Sequence, residues 1–267
     1  MSHGPSTEPD GRSELRDQVA SVVSELTPGP ATVRPTHIWY VCYGSNMSLG
    51  RLNYYLVGGR PPAGALTYPG CRDKTPPSES RALRLPGTIY FALEALAWTG
   101  GMAFYDHGSP GDTPARGYRL TVSQFSDILA QEMNLEPGDD VDLTDVLEQG
   151  RLALGPGCYQ TLLHLGDIDG VPAFTFTSPW CSDEVEHRKP AAIYLRHLAA
   201  GLVEAHGWGV AEVATYLGSR PGAAGSWSPD ELLTLFADLC SEATGPPRIN
   251  PVRHLGAVPA PLGVVTG

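Results

Sequence analysis

Apolar and aromatic residues run without a break from Ile38 to Tyr43 and stop at Gly44-Ser45-Asn46. A run of that length predicts a fully buried strand that ends in a tight loop. Further on, "GTIYFAL", "GMAFYD" and "ARGYRLTV" are short, β-rich and separated by turn residues, so each predicts a strand. In "GCYQTLLHLGDIDGVPAFTFTSP" two such runs flank Asp169-Gly170, which predicts a hairpin. The period then changes. Phe125, Ile128, Leu129 and Met133 share one helical face over residues 121 to 134, with Thr121 and Gln124 as a capping box. The stretch "PAAIYLRHLAAGLVEAHG" predicts a helix with Pro190 in its first turn and Gly207 at its close. Near the end, Ser228 and Glu231 form a second capping box, with Pro229 at the first helical position. Close to the start, Leu15, Val19, Val22 and Leu26 predict a short helix over residues 13 to 26.

Mixed strands followed by helices, without regular alternation, predict an α+β fold rather than a doubly wound sheet. The expected organisation has four parts. Residues 1 to 35 are a tail, short helix and linker; residues 36 to 207 are the main domain. Residues 208 to 243 are a helical extension, and residues 244 to 267, rich in Pro, Gly and Val, are a flexible tail.

Composition narrows the functions open to the chain. A net charge of −11 makes nucleic acid a poor partner. No apolar run approaches the length of a membrane span, and the N-terminus lacks the basic and apolar regions of a secretory signal, so the expected location is cytoplasmic. The five cysteines, Cys42, Cys71, Cys158, Cys181 and Cys240, are scattered and without a C-x-x-C pair. They suggest small buried hydrophobes rather than a disulfide framework or zinc cluster. His197 and His206 lie on different helical faces and give no metal spacing, so neither metal nor cofactor is expected.

The loop at residues 44 to 46 has specific chemical potential. Gly-Ser-Asn can fold so that successive amides point at one spot, a nest for a carboxylate or oxyanion, with the Ser45 and Asn46 side chains adding hydrogen bonds. "YGSNM" after an apolar strand resembles the signature of the gamma-glutamylcyclotransferase-like family. Four further segments resemble that family in order: "GGMAFYD", "ARGYRLTVSQFSDILAQEMN", "GPGCYQTLLHL" and "PAAIYLRHLAAGLVEAHG". Together they span roughly residues 38 to 207. The longer insert over residues 51 to 88 and the C-terminal helices look like an actinobacterial-type branch that sometimes carries a deacetylase label. No zinc-ligand pattern in the sequence supports that label.

The resemblance implies a mixed, β-barrel-like sheet with packed helices. It also implies cleavage of a gamma-glutamyl amine or amide to 5-oxoproline and free amine. Such a substrate brings its own nucleophile, the α-amine. The protein has to hold it folded, move protons and stabilise an oxyanion. The resemblance puts the catalytic carboxylate at Glu132 and the cradle at Gly44, Ser45 and Asn46, holding the α-carboxylate or the oxyanion. It adds Tyr43, Tyr159 and Tyr194 as pocket residues, and Met47 as a substrate-binding loop residue that serves packing more than chemistry. Arg72 is a candidate for the glutamyl carboxylate. The other readings are an amide hydrolase or acyl-transfer enzyme in which Glu132 activates water or an external amine, and a non-catalytic module that binds a small acid.

Two charge clusters complete the picture. Residues 127 to 148 hold eight acids and no Lys or Arg. Residues 51 to 84 hold six bases against Asp73 and Glu79. The acids are either a solvated face or a lure for a cationic amine leaving group, such as a polyamine or amino sugar. The sequence leaves the oligomeric state open.

Overall fold

The computed structural model describes residues 34 to 62, 64 to 95, 99 to 239 and 253 to 256. The chain divides into two units, Met1–Arg34 and Pro35–Gly267, and the fold is that of the second. The helix expected over residues 13 to 26, Cys240 and most of the expected tail lie outside the described residues.

Strand β1 (His37–Cys42) is central, antiparallel to β5 (Asp112–Thr121) and parallel to β8 (Val171–Thr177). Covered on both faces, it reads as an unbroken apolar run, with Ile38 and Val41 fully buried. The full sheet has the order β6-β7-β8-β1-β5-β2-β9, adding β2 (Glu79–Pro86), β6 (Arg151–Ala153), β7 (Thr161–Ile168) and β9 (Arg253–His254). Asp169, in the β7–β8 turn, pairs with Arg81 of β2 and lies 2.7 Å from Arg253 of β9. The two sides of the sheet therefore curl towards each other, which gives the mixed sheet its barrel-like form. A separate hairpin, β3 (Thr88–Ala92) with β4 (Met102–Asp106), joins β8 where the Tyr105 amide donates to Thr177 Oγ1 and that hydroxyl donates back to the Tyr105 carbonyl.

The helices are α1 (Leu49–Val57), α2 (Val122–Glu132), α3 (Thr144–Gln149), α4 (Ala192–His206), α5 (Val210–Gly218) and α6 (Pro229–Phe236). Both expected capping boxes form, at Thr121/Gln124 and Ser228/Glu231. Pro190 lies before the first turn of α4 rather than within it, because Ala191 is the N-cap. Leu198 and Leu202 of α4, Val213 and Leu217 of α5, and Leu232 and Phe236 of α6 belong to the core shared with the sheet. Arg196 of α4 is tied to Asp238 by two 2.8 Å contacts.

Helix α3 and strand β6 were not anticipated from sequence, nor were three further elements. Helix α1 and strand β2 both lie in the segment read as an insert, and β9 lies in the segment read as a flexible tail. β9 pairs in parallel with β2, Leu83 opposite Arg253 and Arg84 opposite His254. Two residues are too few to show a period.

Topology alone brings the site together. β5 ends at Thr121, opposite His37 at the start of β1. The capping box there turns the chain into α2, whose 11 residues rise about 16 Å alongside β1. β1 itself spans about 20 Å. The C-terminal end of α2 thus arrives where β1 gives way to the loop at residues 43 to 48.

Candidate active site

That loop is a short 3-10 turn, Ser45–Met47, with Gly44 as its N-cap. It is clamped from two sides. Arg116 and Tyr118 of β5 both donate to the Met47 carbonyl, at 2.9 and 2.7 Å. On the other side Gly201 of α4 packs so closely that an added Cβ would sit 2.5 Å from Met47 Cβ. Glu204, one turn on, accepts from Ser48 Oγ at 2.8 Å and from the Leu49 amide at 3.0 Å, which caps α1 with a negative charge at its positive end. Among the described residues, the amides of Gly44, Ser45 and Asn46 donate to no protein acceptor.

Glu132 is the last residue of α2. The helix closes in a Schellman motif, with Leu135 N bonded to Ala130 O at 2.8 Å, Asn134 N to Gln131 O at 3.1 Å, and Asn134 left-handed at φ 56°. This fixes the backbone beneath the carboxylate. Asn46 Nδ2 donates to Glu132 Oε1 at 3.1 Å and lies 3.2 Å from the Tyr40 hydroxyl. Burial raises the Glu132 pKa; the Tyr55 hydroxyl, the Arg51 charge and the Asn46 amide oppose the rise. The negative end of the helix dipole acts in the same sense as burial.

Glu132, Tyr43, Gly44, Ser45, Asn46, Tyr159 and Tyr194 all line one cavity of about 290 Å³, at the small end of ligand pockets, which run from about 300 to 1,000 Å³. The Tyr43 hydroxyl donates to the Phe176 carbonyl at 2.9 Å. Tyr159 and Tyr194 grip one peptide of β4: Tyr159 donates to the Ala103 carbonyl at 2.8 Å, and the Ala103 amide donates to Tyr194 at 3.1 Å. The Gly-Gly step before β4 permits this, since a Cβ on Gly101 would fall 2.3 Å from the Arg188 carbonyl. Burial lifts the Tyr194 hydroxyl to about 12, and raises Tyr43 and Tyr159 well above their usual range, so all three stay protonated. Leu93, Asn134 and Tyr159, three of the five non-glycine residues at positive φ among those described, line this cavity. Such backbone costs about 1–3 kcal/mol each and clusters where surrounding structure enforces it.

Met47 and Arg72 do not line the cavity. Met47 is buried against α4. Arg72 is engaged elsewhere: its backbone amide reaches Asp127 Oδ2 at 2.7 Å, its Nε reaches Asp127 Oδ1 at 2.9 Å, and its Nη2 reaches Asp140 at 2.6 Å. The two charge clusters thus meet each other at Arg72. No acid from Glu136 to Glu148 lines the cavity, so the acidic run does not frame it.

The cavity also holds residues that were not singled out from sequence. Arg51 of α1 is 3% exposed, its guanidinium 4.7 Å from the ring centroids of both Tyr55 and Tyr68. Arg51 and Tyr55 are one turn apart among buried Leu52 and Leu56, a helical stripe that reading "LGRLNYYLV" at period 3.6 would have exposed. Glu94, an exposed carboxylate, lies at the rim with Leu66 and Asn134. Cys42 and Cys158 also line the cavity, and burial raises both thiols. Among the described residues no group of three or more His, Cys, Asp or Glu could hold a metal ion, and no helix is long and apolar enough to cross a membrane.

No family model matches the chain. A protein named histone deacetylase 5 from Arabidopsis thaliana is 30% identical over 192 residues, covering 65% of this chain. The chain spans 29% of that relative's length. Among solved structures, a gamma-glutamyl cyclotransferase is 13% identical, with a TM-score of 0.42, covering 76% of this chain and 99% of that one. An uncharacterized protein from Homo sapiens is likewise 13% identical with a TM-score of 0.42, covering 74% of this chain and 99% of that one. Likeness at this level leaves the chemistry to be argued from the residues themselves.

Proposed function

We propose that the protein is a gamma-glutamylcyclotransferase-like enzyme that converts a gamma-glutamyl amine or amide to 5-oxoproline and free amine. The observation that carries this reading is the pairing of a half-buried, pKa-raised Glu132 with Asn46 of the Gly-Ser-Asn loop inside one partly open cavity. Among the described residues no histidine lines that cavity to activate Ser45, and its thiols are held away from the thiolate form. A site with one poised carboxylate and no activated nucleophile suits a substrate that attacks itself.

In this reaction the α-amine nitrogen bonds to the γ-carbonyl carbon, and the amide C–N bond of the leaving amine breaks. Glu132 accepts the proton that the attacking nitrogen loses and delivers it to the departing nitrogen, so water is neither consumed nor released. A pKa nearer neutrality serves both steps. The amides of Gly44, Ser45 and Asn46 supply donors for the transient oxyanion. Tyr43, Tyr159 and Tyr194 form an aromatic wall that holds the glutamyl chain bent, and positioning of this kind contributes up to about 7–11 kcal/mol in ideal intramolecular cases.

Mass spectrometry of gamma-glutamyl amides incubated with the protein tests the reading. The expected result is 5-oxoproline and free amine in equal amounts. Free glutamate, or a glutamyl group moved to an added amine, would replace cyclisation by hydrolysis or transfer.

A further inference from the structure

We infer that Arg51 is the receptor for the substrate's α-carboxylate, an assignment that rests on the cyclisation reading. In a gamma-glutamyl compound the α-amine and the α-carboxylate share one carbon. The base that takes a proton from the amine therefore has the substrate's carboxylate as an immediate neighbour. That base is Glu132, and two carboxylates side by side repel unless a cation lies among them.

Arg51 is the one positively charged side chain among the described residues lining the cavity, and it lies within the electrostatic reach of Glu132. Arg72, the earlier candidate, is committed to Asp127 and Asp140. The guanidinium of Arg51 is oriented before any ligand arrives: Nη2 donates to the Tyr68 hydroxyl at 2.6 Å and to the Tyr55 hydroxyl at 3.3 Å, and both rings flank it. Burying a guanidinium is costly, and a planar, prepositioned fork matches a carboxylate better than an ammonium does. With the α-carboxylate on Arg51, the loop amides of residues 44 to 46 are left for the γ-carbonyl oxygen. The two anionic demands of the reaction then fall on two adjoining elements, α1 and the loop that leads into it from β1.

The test compares 5-oxoproline with its α-carboxamide by calorimetry, and a gamma-glutamyl amide with its α-carboxamide counterpart in turnover. The wild type should prefer the carboxylate by about 10- to 100-fold, the weight of a charge-assisted hydrogen bond. Arg51→Gln should bring that ratio near one, Arg51→Lys should leave part of it, and Tyr68→Phe, which removes only a hydroxyl, should reduce it with the ring in place. Thermal melts identify any variant that fails to fold. If Arg51→Gln weakens both members of each pair equally, Arg51 is a wall residue and the inference is wrong; binding of neither probe to the wild type also overturns it. Product formation without a carboxylate preference would leave cyclisation standing and remove Arg51. A preference that depends on Arg51 without 5-oxoproline formation would do the reverse.

Discussion

Asn46 Nδ2 lies 3.1 Å from Glu132 Oε1, joining a loop and a helix end that are 86 residues apart in the chain. The contact links the two halves of the proposed chemistry, the donors of residues 44 to 46 and the base. It also makes Glu132 the residue whose replacement is most informative. Glu132→Gln keeps an oxygen for Asn46 and loses the base, so kcat should fall by about 10²–10⁴-fold. Stability should move the other way with pH. The Glu132 pKa is raised in the fold, so its contribution is fully present below the unfolded value and is lost as pH rises through the folded one. The variant should match the wild type in acid and melt at a higher temperature once the pH has passed the raised pKa of Glu132. Near wild-type turnover would remove Glu132 from the reaction.

Two glycines of the same region should respond differently to one added methyl. At Gly44, φ is −110° and a Cβ would meet Tyr194 Oη at 3.7 Å and Ala103 Cβ at 4.0 Å, both ordinary contacts. Gly44→Ala should change stability by less than about 0.5 kcal/mol while raising KM, because the methyl sits between the loop and the aromatic wall. At Gly201 the Cβ would lie 2.5 Å from Met47 Cβ and 2.8 Å from the Ser48 amide. Alanine in a helix gains about 1 kcal/mol over glycine, but overpacking costs about 1–3 kcal/mol, so the net effect is destabilising. It also displaces the loop, so kcat should fall with stability. Chemical denaturation and steady-state kinetics on both variants decide the matter; a fully active, more stable Gly201→Ala would show that the clamp from α4 is dispensable.

How much of this was legible in the sequence follows from which signals are local. The buried run of β1, the β7–β8 hairpin at Asp169-Gly170 and the capping box at Thr121 and Gln124 depend on neighbours in the chain, and they form as expected. Tyr43, Gly44, Ser45, Asn46, Glu132, Tyr159 and Tyr194 come together in one cavity. Arg72 does not, because a surface arginine takes its partner from whatever packs across it, here the buried Asp127. Arg51 was read only as one of the six bases between residues 51 and 84, because a charged residue reads as surface until the opposing element, Tyr68, is known. The pairing of β9 with β2 is long-range and leaves no local trace.

Acid should destabilise the protein through His206. Burial holds this imidazole at a pKa of about 4, and the charges of Arg84 and Arg116 press the same way; the hydrogen bond of Nε2 to the Ala115 carbonyl, at 3.0 Å, and the charge of Asp112 oppose them. A depressed folded pKa contributes stability that is present above the unfolded value near 6.5 and is lost as pH falls towards 4. Between those limits the melting temperature of the wild type should fall faster than that of His206→Gln. Parallel slopes for the two proteins would mean that another group controls the acid response.

The last prediction concerns the leaving amine. The acids from Glu136 to Glu148 are away from the cavity, and Asp140 is tied to Arg72. Changing Asp139 and Asp142 to asparagine should therefore leave substrate preference untouched. Glu94 is differently placed. It is exposed and lines the cavity beside Leu93, whose left-handed backbone at φ 55° holds the turn, so under the proposed reaction it is the exposed carboxylate available to meet the leaving amine. A substrate whose amine carries a second positive charge should gain from that carboxylate, and one ending in a carboxylate should lose. A single exposed charge is worth about 0.2–1 kcal/mol, so Glu94→Gln should lower the ratio of kcat/KM for a gamma-glutamyl diamine over a gamma-glutamyl amino acid by roughly 1.5- to 5-fold, and Glu94→Lys should lower it further. Added salt should shrink the wild-type ratio towards that of Glu94→Gln, because screening acts over about 8 Å at physiological ionic strength. If the ratio is the same in all three proteins and insensitive to salt, the rim does not read charge, and selection among amines rests on the shape that Leu66 and Leu93 give the opening.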